Sequence, residues 1–322
     1  MFDDSITSIS EDGEVSFEHG APRRFDLVIG ADGLHSNVRR VAFGAETGFS
    51  TFIGAYLAVL SVPNYLHLDG DMIVCSDPGR MAGIYSARHM TDARAVFLFR
   101  GPQLNYSHKD IPRQKELLRQ AFTGMGWQVP HLMTQLECTP AFYFDSISQI
   151  HMTTWSRGRV SLVGDAGYCP GPAVGTSLAV VGAFVLAGEL AAAGGDHVRG
   201  FRAYEHEIGD YVRRSRAFAV GVAKRLIPDS RTELWLMANV VRLVAHIPPG
   251  ITRALAKLDR KGIRLHDIMT LKTMRTERHL ACVVGVVLSS LGTAGSAPGQ
   301  NLSCLSRRRP PGTATYCRHH HF

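Results

Sequence analysis

Two short segments of this sequence place a carboxylate and a glycine directly after an apolar run. In the first, residues 30–39, Asp32 and Gly33 follow the run and lead into Ser36 and Arg39. Ligands of open α/β sheets bind at the carboxyl ends of strands, so Asp32 can meet a ligand there while Gly33 lets the backbone approach it. Arg39 lies one helical turn after Ser36 and can hold Asp32, a phosphate, or both. The alternative interpretation is a tight turn with a helix cap and an ion pair.

The second segment begins at Gly164 and Asp165, where another carboxylate follows an apolar strand. A loop rich in Pro and Gly, which includes Pro172, leads to Gly175 and Thr176 at the start of an apolar helix. Free amides and the positive end of the helix dipole suit an electron-rich ligand. A carboxylate at Asp165 suits a sugar-like hydroxyl. The alternative interpretation is a structural strand-to-helix connection with an N-cap.

The hydrophobic pattern predicts the elements that position both segments. Residues 25–30 and 159–163 are apolar runs that end at the two segments, which is typical of buried strands in a parallel sheet. Ser36 is expected to cap the helix that follows the first strand. Residues 164–167 are predicted to form a turn. Residues 176–193 are apolar almost all round, which predicts a helix buried on all sides.

The rest of the chain divides into regions that differ in composition and hydrophobic pattern. Residues 51–150 alternate strand-forming runs with turns at Pro, Gly and Asp, which predicts an antiparallel sheet. Residues 5–18 are predicted to form a hairpin. The stretch from 268 onward is rich in Pro, Gly and Ser without periodicity and is predicted to be disordered. Further helices are predicted at residues 115–122, 198–226, 231–246 and 251–261.

Composition narrows the class of protein. A length of 322 residues indicates about two domains, and 45% hydrophobic with 20% charged residues fits a globular enzyme. The scatter of six cysteines over the chain fits reduced thiols in the cytoplasm. The net charge is +7, but no basic stripe with interleaved aromatics is present, which argues against a nucleic-acid partner. The opening residues lack the apolar region of a secretory signal. The longest apolar stretches fall short of the about 20 residues that span a bilayer, so no integral membrane segment is predicted.

Metal and thiol chemistry are not indicated. The six cysteines form no C-x-x-C pair, so neither a zinc site nor a redox dithiol is predicted. The run His319-His320-His321 can bind a metal weakly, but it stands at a terminus and is interpreted as adventitious. Cys169 lies in the second segment and is expected to be a small buried residue rather than a reactive thiol.

The two segments, in this order and separated by a strand-rich block, resemble the class A flavoprotein monooxygenases, the para-hydroxybenzoate hydroxylase-like aromatic hydroxylases. The first segment is similar to that family's D-G-x-x-S-x-x-R motif and the second to its G-D motif. The resemblance covers roughly residues 1–267. The matching residues are Asp32, Gly33, Ser36 and Arg39 in the D-G motif and Gly164 and Asp165 in the G-D motif.

The resemblance implies an FAD site. Asp165 would accept a hydrogen bond from the ribityl chain, and the loop and helix start at residues 172–176 would lie beside the isoalloxazine ring. Asp32 and Arg39 would support the FAD pyrophosphate and the path of NADPH or NADH. No catalytic side chain is implied, because the cofactor supplies the chemistry. The implied cofactor-binding residues are Asp32, Gly33, Arg39, Gly164, Asp165, Pro172, Gly175 and Thr176.

The implied fold class is α/β: an incomplete Rossmann-like FAD-binding domain with an inserted antiparallel β-sheet substrate domain and C-terminal helices. The family opens with a strand, a G-x-G-x-x-G turn and a helix, and this sequence lacks that motif, so we interpret it as an N-terminally truncated member. The expected regions are 1–50 and 151–195 for the FAD-binding domain, 51–150 for the substrate sheet, 196–267 for the helical region and 268–322 for a disordered tail.

The implied reaction inserts one oxygen atom of O₂ into a small organic, often aromatic, substrate at the expense of NADPH or NADH. Two other interpretations stay open. The chain can be an inactive truncated flavoprotein remnant or a non-enzymatic binding module. It can also be a relative of the flavin-dependent halogenases or dehydrogenases, although the lysine and tryptophan motif of the halogenases has no clear equivalent here.

Overall fold

The chain folds into three β-sheets and seven α-helices within the residues that the computed structural model describes, which are 4–88, 90–172, 174–245 and 285–287. The strands are β1 (Ile6–Ile9), β2 (Glu14–Phe17), β3 (Arg23–Arg24), β4 (Val28–Gly30), β5 (Ser50–Pro63), β6 (Met72–Asp77), β7 (Arg80–Tyr85), β8 (Asp92–Arg100), β9 (Phe142–Ile150), β10 (Ser156–Arg157), β11 (Val160–Leu162) and β12 (Gly285–Val287). The helices are α1 (Asn37–Phe43), α2 (Ile111–Phe122), α3 (Val129–Gln135), α4 (Asp165–Tyr168), α5 (Gly175–Ala192), α6 (His197–Leu226) and α7 (Arg231–Ala245).

A four-stranded sheet carries both motifs. Its strand order is β10-β11-β4-β12, and β4 runs parallel to both of its neighbours. Strands β4 and β11 are wholly buried, as expected for the centre of a parallel sheet, and end in register where Gly30 pairs with Leu162. Since the strands are parallel neighbours, Asp32 and Asp165 follow them at the same edge of the sheet. The prediction that both carboxylates close adjacent strands is confirmed.

A five-stranded antiparallel sheet forms the other large unit, with the order β6-β7-β8-β5-β9. Its longest strand, β5, has 14 residues and pairs with β8 on one side and β9 on the other. Alternate residues Tyr56, Ala58 and Leu60 of β5 are fully buried on one face, as the two-residue period of a strand requires. Leu118 of α2 and Leu132 of α3 pack against that face. The predicted α/β fold class with an inserted antiparallel sheet is confirmed.

Helix α5 is less enclosed than its sequence predicts. Leu178, Val185 and Leu186 are buried in the core that α5 shares with α6 and the four-stranded sheet. However, Val180 is 67% exposed and Phe184 is 41% exposed. The prediction of a helix buried on all sides is wrong for the described residues, because the neighbouring elements cover only one face of the helix.

The apolar character of α5 also bears on membrane insertion. Among the described residues, α5 is the one helix long and apolar enough to cross a bilayer, with 18 residues and a mean hydropathy of 1.6. Core helices of globular domains also reach these values, and 28% of α5 is buried inside the fold. Its length and composition alone therefore assign no membrane to it.

Three local predictions differ from the structure. The turn predicted at residues 164–167 is the one-turn helix α4, because Tyr168 N donates to Gly164 O and closes a helical turn. Helix α3 was not predicted, since its seven residues begin with a proline in the first turn and carry little periodicity. Gly285–Val287, inside the predicted disordered tail, pair with β4 as β12. The predicted helix at 251–261 and the rest of the tail lie outside the described residues.

Gly182 allows α5 to approach α4 closely, which gives a stability prediction. A methyl group at Gly182 would overlap the hydroxyl of Tyr168, which is fully buried and accepts a hydrogen bond of 2.8 Å from Tyr204. We expect Gly182→Ala to lower the free energy of unfolding by about 1–3 kcal/mol through overpacking. Gly221→Ala in α6 is the matched control, because its new methyl group would meet nothing within 4 Å. That change should raise stability by about 0.5–1 kcal/mol. Urea denaturation of both variants checks the opposite signs.

Candidate functional site

The D-G motif forms a capped turn between β4 and α1. Ser36 is the N-cap of α1, and its hydroxyl accepts from Arg39 N at 2.9 Å, as predicted for a helix cap. The same hydroxyl donates to Asp32, whose other carboxylate oxygen accepts from Val38 N at 3.0 Å. Both oxygens of Asp32 therefore hold the turn together. Gly33 has a φ of +81° with nothing within 4 Å of its missing side chain, so the backbone there is open to a ligand.

Arg39 lies beneath the two motifs and joins them. Its side chain is fully buried, and its guanidinium donates to the carbonyl of Ala166 in α4 at 2.8 Å and to that of Leu34 at 2.6 Å. It also pairs with Glu46 at 3.0 Å. The structure shows no hydrogen bond from Arg39 to Asp32, because the terminal guanidinium nitrogens point to Ala166, Leu34 and Glu46, and Nε has no hydrogen-bond partner among the described residues. The expected support of a phosphate stays a prediction. Arg39 fixes α4 against the D-G turn.

Asp165 follows β11 and opens α4. The preceding Gly164 has a φ of +65°, a backbone conformation that favours glycine, and serves as the N-cap. Asp165 Oδ1 is buried and has no hydrogen-bond partner among the described residues, although the Cys169 thiol lies near the carboxyl group. Burial raises the pKa of the Asp165 carboxyl above its ordinary value. Buried acceptors without a donor are rare in folded proteins, so this atom indicates a missing donor such as a ligand hydroxyl.

The N-terminus of α5 adjoins Asp165. A methyl group on Gly175 would lie only 3.4 Å from Asp165 Oδ1, so glycine at this position leaves room beside the carboxylate. Val174 is the N-cap and provides no side-chain hydrogen bond, which leaves the first amides of an 18-residue helix uncapped. Pro172, before the helix, is half-buried, and Thr176, in its first turn, is exposed. The structure therefore brings Gly164, Asp165 and Gly175 together, with Pro172 and Thr176 within three residues of Gly175 along the chain. The amides at this helix end suit an electron-rich ligand.

Cys169 lies behind the same loop, and its burial gives a prediction about reactivity. The thiol is buried and donates to Ser148 O at 3.6 Å, and burial raises its pKa to about 12. At pH 8 about one thiol in ten thousand would be the reactive thiolate. We expect iodoacetamide to alkylate Cys169 at least about tenfold more slowly than the exposed Cys138. Peptide mass mapping of the native protein measures both rates, and equal rates would contradict the buried position.

A second polar cluster was not predicted from the sequence. It joins His35, which lies inside the D-G motif, to Glu46, His108 and Asp145. The cluster borders a cavity of about 350 Å³ between the D-G turn and the five-stranded sheet. Burial alone would lower the pKa of His35, but hydrogen bonds to Asp145 and Glu46 outweigh it and raise the pKa to about 9. The position of His35 three residues after Asp32 was the one sequence signal for this cluster. Its partner Asp145 lies 110 residues away along the chain, and such a pair leaves no local pattern.

Known proteins share this sequence and fold. Residues 14–222 match the family described as FAD binding domain. An uncharacterised protein of Mycobacterium tuberculosis is 47% identical over 221 residues, which are 67% of this chain and 59% of the relative. A flavin-dependent monooxygenase of Legionella longbeachae is 38% identical over 260 residues, which are 78% of this chain and 67% of the relative. The crystal structure of tetracycline destructase Tet(55) is 35% identical with a TM-score of 0.67, covering 84% of this chain and 70% of that one.

These similarities define the class of protein. The chain belongs to the FAD binding domain family and, within it, to the flavin-dependent monooxygenases of the class A, aromatic-hydroxylase-like type. The predicted family is confirmed. The chain spans about three-fifths of the length of the uncharacterised mycobacterial relative.

Proposed function

We propose that the protein is an FAD-dependent monooxygenase that uses NADPH or NADH to insert one oxygen atom of O₂ into a small organic, often aromatic, substrate. The observation that carries the proposal is the buried, unpartnered Oδ1 of Asp165, among the described residues, beside the uncapped N-terminus of α5. A cofactor with hydroxyl groups would supply the donor that Asp165 Oδ1 lacks, and its electron-rich atoms would accept from the first amides of α5. FAD, when bound, supplies the electron transfer and the oxygen chemistry.

The residues around Asp165 are proposed to bind and orient the cofactor. Asp165 Oδ1 would accept a hydrogen bond from a ribityl hydroxyl, and the first amides of α5 at Gly175 and Thr176 would face electron-rich atoms of the flavin ring. Gly33 would let the backbone approach the pyrophosphate, with Asp32 holding the turn that presents it. Arg39 is proposed to act as a positioning residue, since it contacts the motifs and not the open side.

The five-stranded sheet is proposed to carry the substrate. The cavity of about 350 Å³ lies against this sheet and combines the aromatic side chains of Phe52 and Tyr56 with the hydroxyls of Ser146 and Ser148. The lining is more polar than apolar, and the aromatic rings supply the apolar contact for a small organic ligand.

The visible spectrum of the purified chain tests the proposal. We expect the protein, reconstituted with FAD and freed of excess cofactor, to show flavin absorbance bands that NADPH or NADH bleaches without oxygen and that air restores. Free FAD at the same concentration, treated identically, is the control for direct reduction. A protein that stays colourless after reconstitution would contradict the proposal and favour the flavin-free remnant or binding module.

A further inference from the structure

The cluster of His35, Glu46, His108 and Asp145 is assembled from four separate parts of the chain. His35 lies between β4 and α1, and Glu46 lies in the short helix Glu46–Gly48 that precedes β5. His108 lies in the loop before α2, and Asp145 lies within β9. The cluster therefore joins the four-stranded sheet to the five-stranded sheet. It is distinct from Asp165 and the start of α5, where the flavin is proposed to bind.

Asp145 is a buried carboxylate that lacks a fixed positive partner among the described contacts. Its side chain is 7% exposed, and it accepts from the amide of Ser146 at 2.7 Å and from the hydroxyl of Tyr143 at 3.2 Å. Its basic neighbours in those contacts are imidazoles: His35 Nε2 at 2.9 Å and His108 Nδ1 at 3.9 Å. A buried carboxylate needs a cation, and imidazoles supply one only when they are protonated or when they bind a metal ion.

The two imidazoles are arranged as ligands of a common ion. Their ring centroids lie 3.6 Å apart at an interplanar angle of 40°. One nitrogen of each ring and an oxygen of Asp145 lie within 4.8 Å of one another. Donor atoms in a tetrahedral zinc site are about 3.3 Å apart, so modest side-chain rotations would close the set. One cation bound between the rings would contact both imidazoles and Asp145.

Glu46 binds the nitrogen of His35 that faces away from Asp145. His35 Nδ1 lies 2.9 Å from Glu46 Oε1, which directs Nε2 of the same ring toward Asp145. A metal-binding histidine almost always has a carboxylate or carbonyl at its second nitrogen, because that bond fixes the tautomer and ring orientation. His35 and His108 also line the cavity of about 350 Å³, so a coordination position can face water or a ligand oxygen.

We propose that His35, His108 and Asp145 form a divalent transition-metal site, with Zn²⁺ the ion that best matches two imidazoles and one carboxylate. The ion would replace the proton between His35 and Asp145 and tie the two sheets together. This inference does not depend on the flavin and is testable in the cofactor-free chain.

Zinc affinity of chelator-treated protein tests the site. The parent for all measurements carries His319→Ala, His320→Ala and His321→Ala, which removes the histidine run at the terminus as a second binding place. Competition with a chromophoric chelator should show one Zn²⁺ per chain. His108→Ala, at a half-exposed position, should weaken Zn²⁺ binding at least about tenfold while thermal melting in chelator stays unchanged. Asp145→Asn should weaken it as well.

His206→Ala is the matched control, because His206 lies on α6 outside the cluster, and it should bind as the parent does. Cobalt(II) gives a second readout. The parent should show visible bands of four-coordinate cobalt that His108→Ala loses. The proposal is overturned if the parent fails to bind Zn²⁺, or if His108→Ala and Asp145→Asn bind it as tightly as the parent. Either result would leave the cluster as an ordinary ion pair between the sheets.

Discussion

Asp165→Ala is expected to release the flavin from the protein, lowering the affinity for FAD about ten- to hundredfold. The proposed hydrogen bond joins a cofactor hydroxyl to a carboxylate oxygen that has no other partner among the described residues. A hydrogen bond to a charged group contributes about 1.5–3 kcal/mol, and each 1.4 kcal/mol changes a dissociation constant about tenfold. Quenching of FAD fluorescence on titration with protein measures the affinity directly.

Two further variants separate the loss of this hydrogen bond from general damage. Asp210→Ala removes an exposed carboxylate on α6 and should leave FAD affinity unchanged. Asp165→Asn keeps an acceptor oxygen but removes the charge, so its affinity should fall between those of the parent and Asp165→Ala. Equal FAD affinity in the parent and Asp165→Ala would mean that the carboxylate does not contact the cofactor.

The largest expected effect on stability belongs to Arg39→Met. The substitution removes the bonds from the buried guanidinium to Ala166 O, which is made in the interior, and to Leu34 O and Glu46, which are partly buried. Breaking a buried pair by removing one partner costs about 3–5 kcal/mol, because the remaining polar groups lose their partners without gaining water. We therefore expect the free energy of unfolding to fall by that amount.

Arg40→Met provides the control for Arg39→Met. Arg40 is the next residue of α1, but it is exposed, and its described side-chain hydrogen bonds go to Asn37 in the same helix. Its replacement should change the free energy of unfolding by no more than about 0.5 kcal/mol. Urea unfolding curves of both variants give the comparison. Equal effects in the two variants would show that the link between α1 and α4 contributes little to stability.

The parts of the fold with a strong local signal were predictable from the sequence. Strands β4 and β11 are apolar runs that end at a glycine or just before one, and Ser36 is a cap residue placed one turn before Arg39. Their parallel pairing was expected because, in open α/β sheets, ligands bind at the carboxyl ends of parallel strands, which lie at one edge of the sheet. Both Asp32 and Asp165 were therefore assigned to the correct edge of the sheet.

The features that were not predicted from the sequence depend on long-range contacts, which no local pattern encodes. The exposure of Val180 and Phe184 depends on what packs beside α5, and an apolar helix looks the same whether one face or all faces are covered. Arg39 was expected beside a phosphate because its spacing from Ser36 fits that role. Instead, its guanidinium donates to the carbonyl of Ala166, which lies 127 residues later in the chain, and is buried there. His35 and Asp145 meet for the same long-range reason.

The distance between Asp165 and bound FAD tests the central claim most directly. A crystal structure of the chain with FAD should place a ribityl oxygen about 2.5–3.0 Å from Asp165 Oδ1, with the flavin ring at the N-terminus of α5. FAD bound at another surface, or bound here with Asp165 Oδ1 still without a donor, would contradict the assignment of these residues to the cofactor site.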